Sequence, residues 1–163
     1  MTYNSTESAY EITKTSTRGV GSILLNNNTF SHSCKVSYDI KLVTSSSVNI
    51  QPRITLFNGN NGICGRIIYA SSASVYCIAI QQHSKSSDGS SEISYQDCSL
   101  NANWYNMEVI YANGTVTMNL KQNDTVIATC TGSETILGDS NELGIVISFN
   151  KDSKVYVKNI TVL

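Results

Sequence analysis

The segment from Trp104 to Cys130 constrains the fold of this chain more than any other part of the sequence. Hydrophobic and polar residues alternate on both sides of the pair Asn113-Gly114. An Asn-Gly pair between two alternating segments predicts a β-hairpin, because both residues accept the positive φ angles that match strand twist. A second turn signal, Asn123-Asp124, adds a third antiparallel strand. Such a meander buries one face only, so the rest of the chain must provide a second layer.

The remaining sequence repeats this alternation. It is clearest in Cys34–Val43, and no helical pattern of useful length occurs. The other predicted strands are Tyr10–Thr15, Ser22–Leu25, Gln51–Phe57, Ile63–Ala70, Val75–His83, Glu92–Cys98, Leu143–Phe149 and Lys154–Leu163, with turns or loops at Asn26–Asn28, Ser84–Ser91 and Gly132–Glu142. The last of these loops could hold a helical turn. About a dozen short strands predict an all-β, two-sheet antiparallel β-sandwich of the jelly-roll type. The predicted core is Val36, Tyr38, Ile40, Ile54, Leu56, Ile78, Ile80, Met107, Val109, Met118, Leu120, Ile145 and Ile147.

Length and charge limit the possible classes of protein. We expect one domain, residues 1–163, because a chain of this length can bury about two thirds of its unfolded surface in one core. The net charge is −1 and no Lys/Arg cluster occurs, so we expect no nucleic-acid partner. No run of about eighteen apolar residues is present, so we expect no membrane insertion.

The five cysteines have no spacing typical of a zinc site. We expect most of them to be small buried hydrophobic residues. If one disulfide forms, Cys64–Cys77 is the favoured pair, because the two residues are close in sequence across a predicted strand connection.

Several of these features occur in an order that resembles the concanavalin A-like lectin/glucanase jelly roll. They are Trp104 at a strand start, the two turns, Leu143-Gly144-Ile145-Val146 and the closing run Val157–Val162. The resemblance implies a non-catalytic carbohydrate-binding or adhesion module, with a glycan or a glycosylated cell surface as partner. The Asn-, Ser- and Thr-rich composition resembles that of adhesin-like surface proteins. We therefore expect an extracellular or cell-surface domain within a larger multidomain chain or assembly.

The sequence offers little support for catalysis. The fold that it resembles includes glucanases with paired acidic residues on one strand, whereas Glu92 and Asp97 are separated by an odd spacing that directs them to opposite faces of a regular strand. No GxSxG motif is present either. We therefore expect a protein that is not an enzyme. A purely structural or interaction domain of a surface or virion protein and a degenerate glycoside hydrolase are the alternatives.

Strand parity predicts the binding site. Side chains from four strands are directed away from the core, onto what the resemblance implies is a concave sheet: Arg53, Thr55, Phe57, Gln81, His83, Glu92, Ser94, Gln96 and Ser148. An aromatic ring, a guanidinium group and several amides and hydroxyls suit a neutral, hydroxyl-rich ligand. Phe57 is expected to be exposed for stacking on a sugar. The alternative is that the Ser84–Ser91 loop covers it.

Two other features have simpler interpretations. Trp104 could stack on a sugar, but a structural role is favoured because large aromatic side chains mostly serve packing. The run Asp139–Glu142 offers oxygen ligands for Ca²⁺ without the acidic spacing of an EF-hand loop. A solvated turn is therefore favoured there, and no other cofactor is expected.

Overall fold

A computed structural model describes residues 1–13, 19–43, 51–70, 75–84, 87–149 and 154–163. Within these ranges the side chains of residues 19–28, 70, 87–90 and 147–149 are not described. The described backbone consists of strands and turns, and none of it forms a helix that could cross a membrane.

Within the described residues, thirteen strands form two antiparallel sheets, which confirms the predicted β-sandwich. The seven-stranded sheet has the order β1-β2-β13-β4-β9-β10-β11, and the six-stranded sheet has the order β3-β12-β5-β6-β7-β8. The strands are β1 Thr2–Asn4, β2 Ala9–Thr13, β3 Gly19–Phe30, β4 Ser33–Val43, β5 Gln51–Asn58, β6 Asn61–Ala70, β7 Val75–Ser84, β8 Ser87–Cys98, β9 Trp104–Ala112, β10 Thr115–Gln122, β11 Thr125–Ser133, β12 Asn141–Phe149 and β13 Lys154–Val162.

The meander predicted from the sequence is β9-β10-β11. Asn113 and Gly114 have φ angles of 46° and 79°, and Asn123 and Asp124 have φ angles of 49° and 62°. Both turns therefore use residues that tolerate positive φ, as the sequence indicated. Because the first turn fixes the pairing of Thr115 with Ala112, it sets the register of the whole β9-β10 ladder.

The core lies between the two sheets and agrees with the predicted set. Every predicted core residue with a described side chain is fully buried there, and only Ile147 lies among the side chains that are not described. In β6 the core residues Ile63 and Ile67 flank Gly65, where an added Cβ would be 2.5 Å from Val109 Cγ2. This glycine lets the two sheets approach closely at their centre.

Three local predictions were wrong. Asn26–Asn28 were expected to form a turn but lie inside β3. The pairing of β3 with β12 changes register there, from Glu142–Thr29 to Gly144–Leu24, so an irregularity within the strand takes up the extra residues. β8 begins at Ser87, within the expected Ser84–Ser91 loop, of which residues 85–86 lie outside the described chain. No helical turn occurs between β11 and β12, where the whole connection is described.

The favoured disulfide is also wrong, because all five cysteines are free thiols. Cys64 is paired with Gln81, and Cys77 is paired with Ile68 on the same two strands. The two cysteines are therefore offset by four residues, or about 13 Å along the strands. A disulfide requires Cα atoms within about 7 Å.

Candidate functional site

The structure places all the predicted binding strands in one sheet. β5, β7, β8 and β12 belong to the six-stranded sheet, in which β6 lies between β5 and β7. Ser148 pairs with Gln51 at the β12-β5 contact, but its side chain is not among those described. We call the face of this sheet that is turned away from the core the outer face.

On β5 the predicted side chains are turned to the outer face but are not exposed. Ile54 and Leu56 belong to the core cluster, whereas Arg53, Thr55 and Phe57 alternate with them on the other face. Arg53 and Phe57 are each only 6% exposed and Thr55 is fully buried. The predicted orientation is therefore correct and the predicted exposure of Phe57 is wrong. Gln81 on β7 is similarly buried.

Phe57 packs against neighbours within the sheet. It is paired with Gly62 on β6, and Gly62 is paired with His83 on β7, so the three residues form one row across the strands. The rings of Phe57 and His83 are 6.2 Å apart, with Gly62 between them in the row. Most of the Ser84–Ser91 loop that was the alternative cover lies outside the described side chains.

Arg53 extends along the outer face towards the same row. The Cα of Arg53 is paired with that of Arg66. Thr55, which lies between Arg53 and Phe57 on β5, is paired with Cys64. Yet Arg53 Nη1 lies 3.4 Å from His83 Nε2, in the row that contains Phe57. The Arg53 side chain therefore runs over Thr55 and Cys64, both of which have no exposed surface.

Sequence reasoning missed Arg66 and Gln51. Arg66 is 9% exposed, and its Nη2 donates a hydrogen bond of 2.7 Å to Gln51 Oε1. Burial lowers the pKa of the Arg66 guanidinium, and the nearby charge of Arg53 lowers it further. The parity of β6 could have indicated Arg66, since it alternates with the core residues Gly65 and Ile67, but only the placement of β6 between β5 and β7 makes that position part of the site.

A β-bulge changes the predicted face of β8. On β7, the adjacent residues Ile80 and Gln81 are paired with Ser94 and Glu92 on β8. Ile93, which lies between those two β8 residues, therefore has no pairing partner on β7. Ser94 therefore lies opposite a core residue rather than on the outer face. Tyr95 lies opposite Ala79, on the outer face, and is 59% exposed.

The same bulge turns Gln96 away from the site. Gln96 is opposite the core residue Ile78, and its Oε1 accepts a hydrogen bond of 2.9 Å from the backbone N–H of Thr129 on β11. The predicted orientation of Ser94 and Gln96 is thus wrong, and that of Glu92 is correct.

The bulge also changes the relative orientation of the two acidic residues of β8, Glu92 and Asp97. Glu92 is opposite Gln81 and Asp97 is opposite Cys77, and both β7 positions are on the outer face. Glu92 and Asp97 therefore share a face, contrary to the expectation from their odd spacing. Their pairing partners are four residues apart on β7, so their backbones are about 13 Å apart. Paired catalytic carboxyl groups of glycosidases are only about 5–9.5 Å apart.

Trp104 lies on the other sheet. It pairs with Lys41 on β4, and Lys158 Nζ is 4.0 Å from the centroid of its ring. This cation–π contact covers the indole face on the seven-stranded sheet, which suits the structural role expected for this residue.

An open pocket of about 480 Å³ lies at one end of the sandwich. Its lining residues are Thr29, Phe30, Ser31, Ser33, Cys34, Asp139, Ser140, Leu143, Val162 and Leu163. Beside it, the Asn141 amide donates to the carbonyl groups of Ser31 and Gly138 at 3.1 and 2.6 Å, and its oxygen accepts from Gly138 N–H. Within the described part of the chain, no three His, Cys, Asp or Glu side chains are close enough to share a metal ion.

Solved structures with the same architecture differ widely in sequence. A protein of unknown function with a galectin-like fold from Bacillus subtilis has a TM-score of 0.72 and 10% identity, over 99% of this chain and 84% of the other. The carbohydrate-binding module CBM66 from Bacillus subtilis has a TM-score of 0.63 and 12% identity, over 94% of this chain and 91% of the other.

Two further structures represent a phage protein and an enzyme. The CBM2 module of the evolved Dit of Lactobacillus casei BL23 phage J-1 has a TM-score of 0.64 and 10% identity over 88% of this chain, which spans 66% of that structure. A family 7 alginate lyase in complex with product has a TM-score of 0.61 and 12% identity, over 97% of this chain and 80% of the other.

Neither a protein-family model nor a curated protein sequence matches this chain. The structural neighbours include carbohydrate-binding modules and enzymes, so the shared fold does not determine whether a member is catalytic. What the neighbours have in common is the arrangement of two antiparallel sheets that the sequence features indicated. The chain shares the jelly-roll fold of these structures, consistent with its resemblance to the concanavalin A-like lectin/glucanase jelly roll.

Proposed function

We propose that this chain is a non-catalytic carbohydrate-binding domain of an extracellular or cell-surface protein, and that its ligand binds on the outer face of the six-stranded sheet. One observation carries the proposal: Arg53, Phe57 and His83 converge on a single part of that face. A guanidinium group and an imidazole side by side provide hydrogen-bonding groups for a sugar, and the mostly buried ring of Phe57 lies beside them.

The burial of this group supports a site rather than an ordinary solvated face. Arginine and glutamine are seldom this buried, yet Arg53 and Gln81 are 6% and 7% exposed on a face that points away from the core. Holding polar groups in low-dielectric surroundings strengthens their interaction with a ligand. Two structural neighbours are themselves named as carbohydrate-binding modules, which supports the same class of ligand.

A glycan array on the purified chain, followed by isothermal titration with any glycan that binds, tests the proposal. We expect Phe57→Ala and Gln81→Ala to weaken binding by about tenfold or more, the loss that follows removal of a stacking or buried hydrogen-bonding group. Trp104→Ala is the matched aromatic control, because Trp104 lies on the seven-stranded sheet. Binding that is lost only in Trp104→Ala would contradict the proposed location. Binding to no glycan would favour the structural or interaction domain.

Catalysis is tested with the same reagents. Incubation with a panel of polysaccharides should release no product above the level of the double variant Glu92→Gln, Asp97→Asn. Release by the wild type that this variant lacks would overturn the non-catalytic assignment. Binding measured in EDTA should equal binding in Ca²⁺, since no cofactor is part of the proposed site. Loss of binding in EDTA would instead direct attention to Asp139 and its neighbours.

A further inference from the structure

We propose that the glycan of the outer face is a linear oligosaccharide of several units, and that its end enters the pocket at the end of the sandwich. This inference rests on the proposed function and adds the length of the ligand and a second subsite for it. Thr29, Asp139 and Leu143 are among the residues that line the pocket. The register of the strands connects this pocket with the outer face.

One row of paired residues runs from the proposed site to the pocket. His83, Gly62 and Phe57 are successive partners on β7, β6 and β5. Phe57 is paired with Glu142 on β12, and Glu142 is paired in turn with Thr29 on β3. Directly opposite residues of antiparallel strands have their side chains on the same face, so Thr29 lies on the outer face in this row. Since Thr29 also lines the pocket, the row ends there.

The row has the length of a short oligosaccharide. It crosses the neighbouring strands β7, β6, β5, β12 and β3, of which β3 is the edge strand of the sheet. Neighbouring strands are about 4.8 Å apart, so the backbone of Thr29 is about 19 Å from that of His83. A linear glycan advances by about one strand spacing for each sugar unit, so about four or five units reach from His83 to the pocket.

The walls of the pocket are held in place by a buried side chain. Asn141 has no exposed surface, and its amide donates hydrogen bonds of 3.1 Å to the Ser31 carbonyl and 2.6 Å to the Gly138 carbonyl. These bonds tie the turn between β3 and β4 to the connection between β11 and β12, and both segments line the pocket. A pocket that is already formed loses little conformational freedom when it binds a ligand.

The lining of the pocket suits a sugar ring. Half of the lining residues are apolar, among them Phe30 and Leu143, and the other half carry hydroxyl or carboxylate groups, among them Ser140 and Asp139. A pyranose likewise combines C–H groups with hydroxyl groups that donate and accept hydrogen bonds. The volume of about 480 Å³ lies within the range of about 300–1,000 Å³ that is typical of small-molecule sites. We therefore assign the terminal unit of the glycan to the pocket and its inner units to the outer face.

The test measures affinity as a function of glycan length. Wild-type protein is titrated with xylo-, manno-, cello- and laminari-oligosaccharides of two to six units. In at least one series we expect affinity to rise about tenfold or more from the disaccharide to the pentasaccharide, through added hydrogen bonds and apolar contacts, and to stay level for the hexasaccharide. Affinity that is the same from the disaccharide onwards would overturn this inference and leave the proposed function intact. Binding of none of the four series would also overturn it, and binding of no glycan on the array would overturn the proposed function as well.

Variants then locate the effect of length. Thr29 and Asp139 are both exposed, so Thr29→Ala and Asp139→Asn are expected to fold. Each should weaken binding of the pentasaccharide by about threefold or more and leave binding of the disaccharide unchanged, whereas Phe57→Ala should weaken both. Asp124→Asn is the matched control, because it makes the same change in the turn between β10 and β11 of the other sheet. Pocket variants that bind the pentasaccharide as wild type does, or that weaken both ligands equally, would contradict a terminal subsite in the pocket.

Discussion

Phe57 on β5 packs directly over the backbone of Gly62 on β6, its pairing partner in the six-stranded sheet. A Cβ atom built on Gly62 would lie 2.7 Å from Phe57 Cδ1 and 2.5 Å from the carbonyl oxygen of Leu56. A Cβ atom is not tolerated this close to non-bonded atoms, so the packing of Phe57 requires glycine at this position. This contact accounts for part of the burial of Phe57, which is turned away from the core.

Gly62→Ala is therefore expected to destabilise the protein by about 1–3 kcal/mol, the usual cost of overpacking. The ring of Phe57 can move, but the Leu56 carbonyl is part of the ladder and cannot. Denaturant unfolding of the variant measures the change. The double variant Gly62→Ala, Phe57→Leu should recover only part of the loss, and full recovery would mean that the backbone contact is unimportant.

Ile80→Ala is expected to cost about 2–5 kcal/mol, because Ile80 is fully buried between the sheets and its removal leaves a cavity. Ile127→Ala on β11 is the matched control, since Ile127 is 38% exposed, and it should change stability by no more than about 0.5 kcal/mol. Urea unfolding of both variants provides the comparison. Equal effects would show that the core does not lie where the structure places it.

The fold was largely predictable because it depends on local signals that repeat along the chain. The alternation in β4 and the turn at Asn113-Gly114 are properties of a few adjacent residues, and both were confirmed. Period-two alternation also gave the correct face for Arg53, Thr55 and Phe57. These predictions needed no knowledge of which strands are neighbours.

The candidate site was less predictable because it depends on sheet order and on one irregularity. Arg66 joins the site only because β6 lies between β5 and β7. The bulge at Ile93 reverses the parity of β8 beyond that residue, and it places Ile93 against another strand: a Cβ on Gly132 of β11 would be 2.6 Å from Ile93 Cγ2. Ile93 fills the space that this distant glycine leaves, and no short sequence window contains that information.

The cysteines are expected to react slowly with a thiol reagent in the native protein. Burial raises the pKa of Cys34 and Cys130 to about 12 and that of Cys64 and Cys98 to about 11, so little reactive thiolate exists at pH 8. In denaturant without reductant, all five thiols should react promptly. Three prompt thiols instead of five would reveal a disulfide and contradict the structure.

Gln96→Ala is expected to weaken the contact between β8 and β11. The Gln96 side chain satisfies the backbone N–H of Thr129 on β11, which is an edge strand of the seven-stranded sheet. The hydrogen bond is exposed, so we expect a loss of at most about 1 kcal/mol in unfolding free energy. The larger effect should be faster exchange of the Thr129 amide hydrogen, measured by hydrogen exchange, because its acceptor is gone. Unchanged exchange at Thr129, with the neighbouring Ala128 as reference, would contradict this role.

Glu108 is expected to make the stability of the protein depend on pH. Its side chain is 5% exposed and accepts contacts of 2.7 Å from both Lys35 and Lys121, with a third from Asn119 at 3.1 Å. Burial alone would raise the pKa of this carboxyl, but the hydrogen bonds from Lys121, Lys35 and Asn119 together outweigh it and lower the pKa to about 2.

Because the folded pKa lies below the unfolded one, the stabilisation is present above pH 4.5 and is lost as the pH falls towards 2. Glu108→Gln should therefore be less stable than wild type at pH 7, by about 1.5–3 kcal/mol, and the difference should shrink between pH 4.5 and pH 2. Glu11→Gln is the control, because Glu11 is the ion-pair partner of Lys154 and is more exposed than Glu108. It should change the free energy of unfolding little in the same buffers. Unfolding curves at pH 7, 4 and 2.5 measure both variants. A gap between wild type and Glu108→Gln that stays constant with pH would show that the carboxylate charge is not the source of the stabilisation.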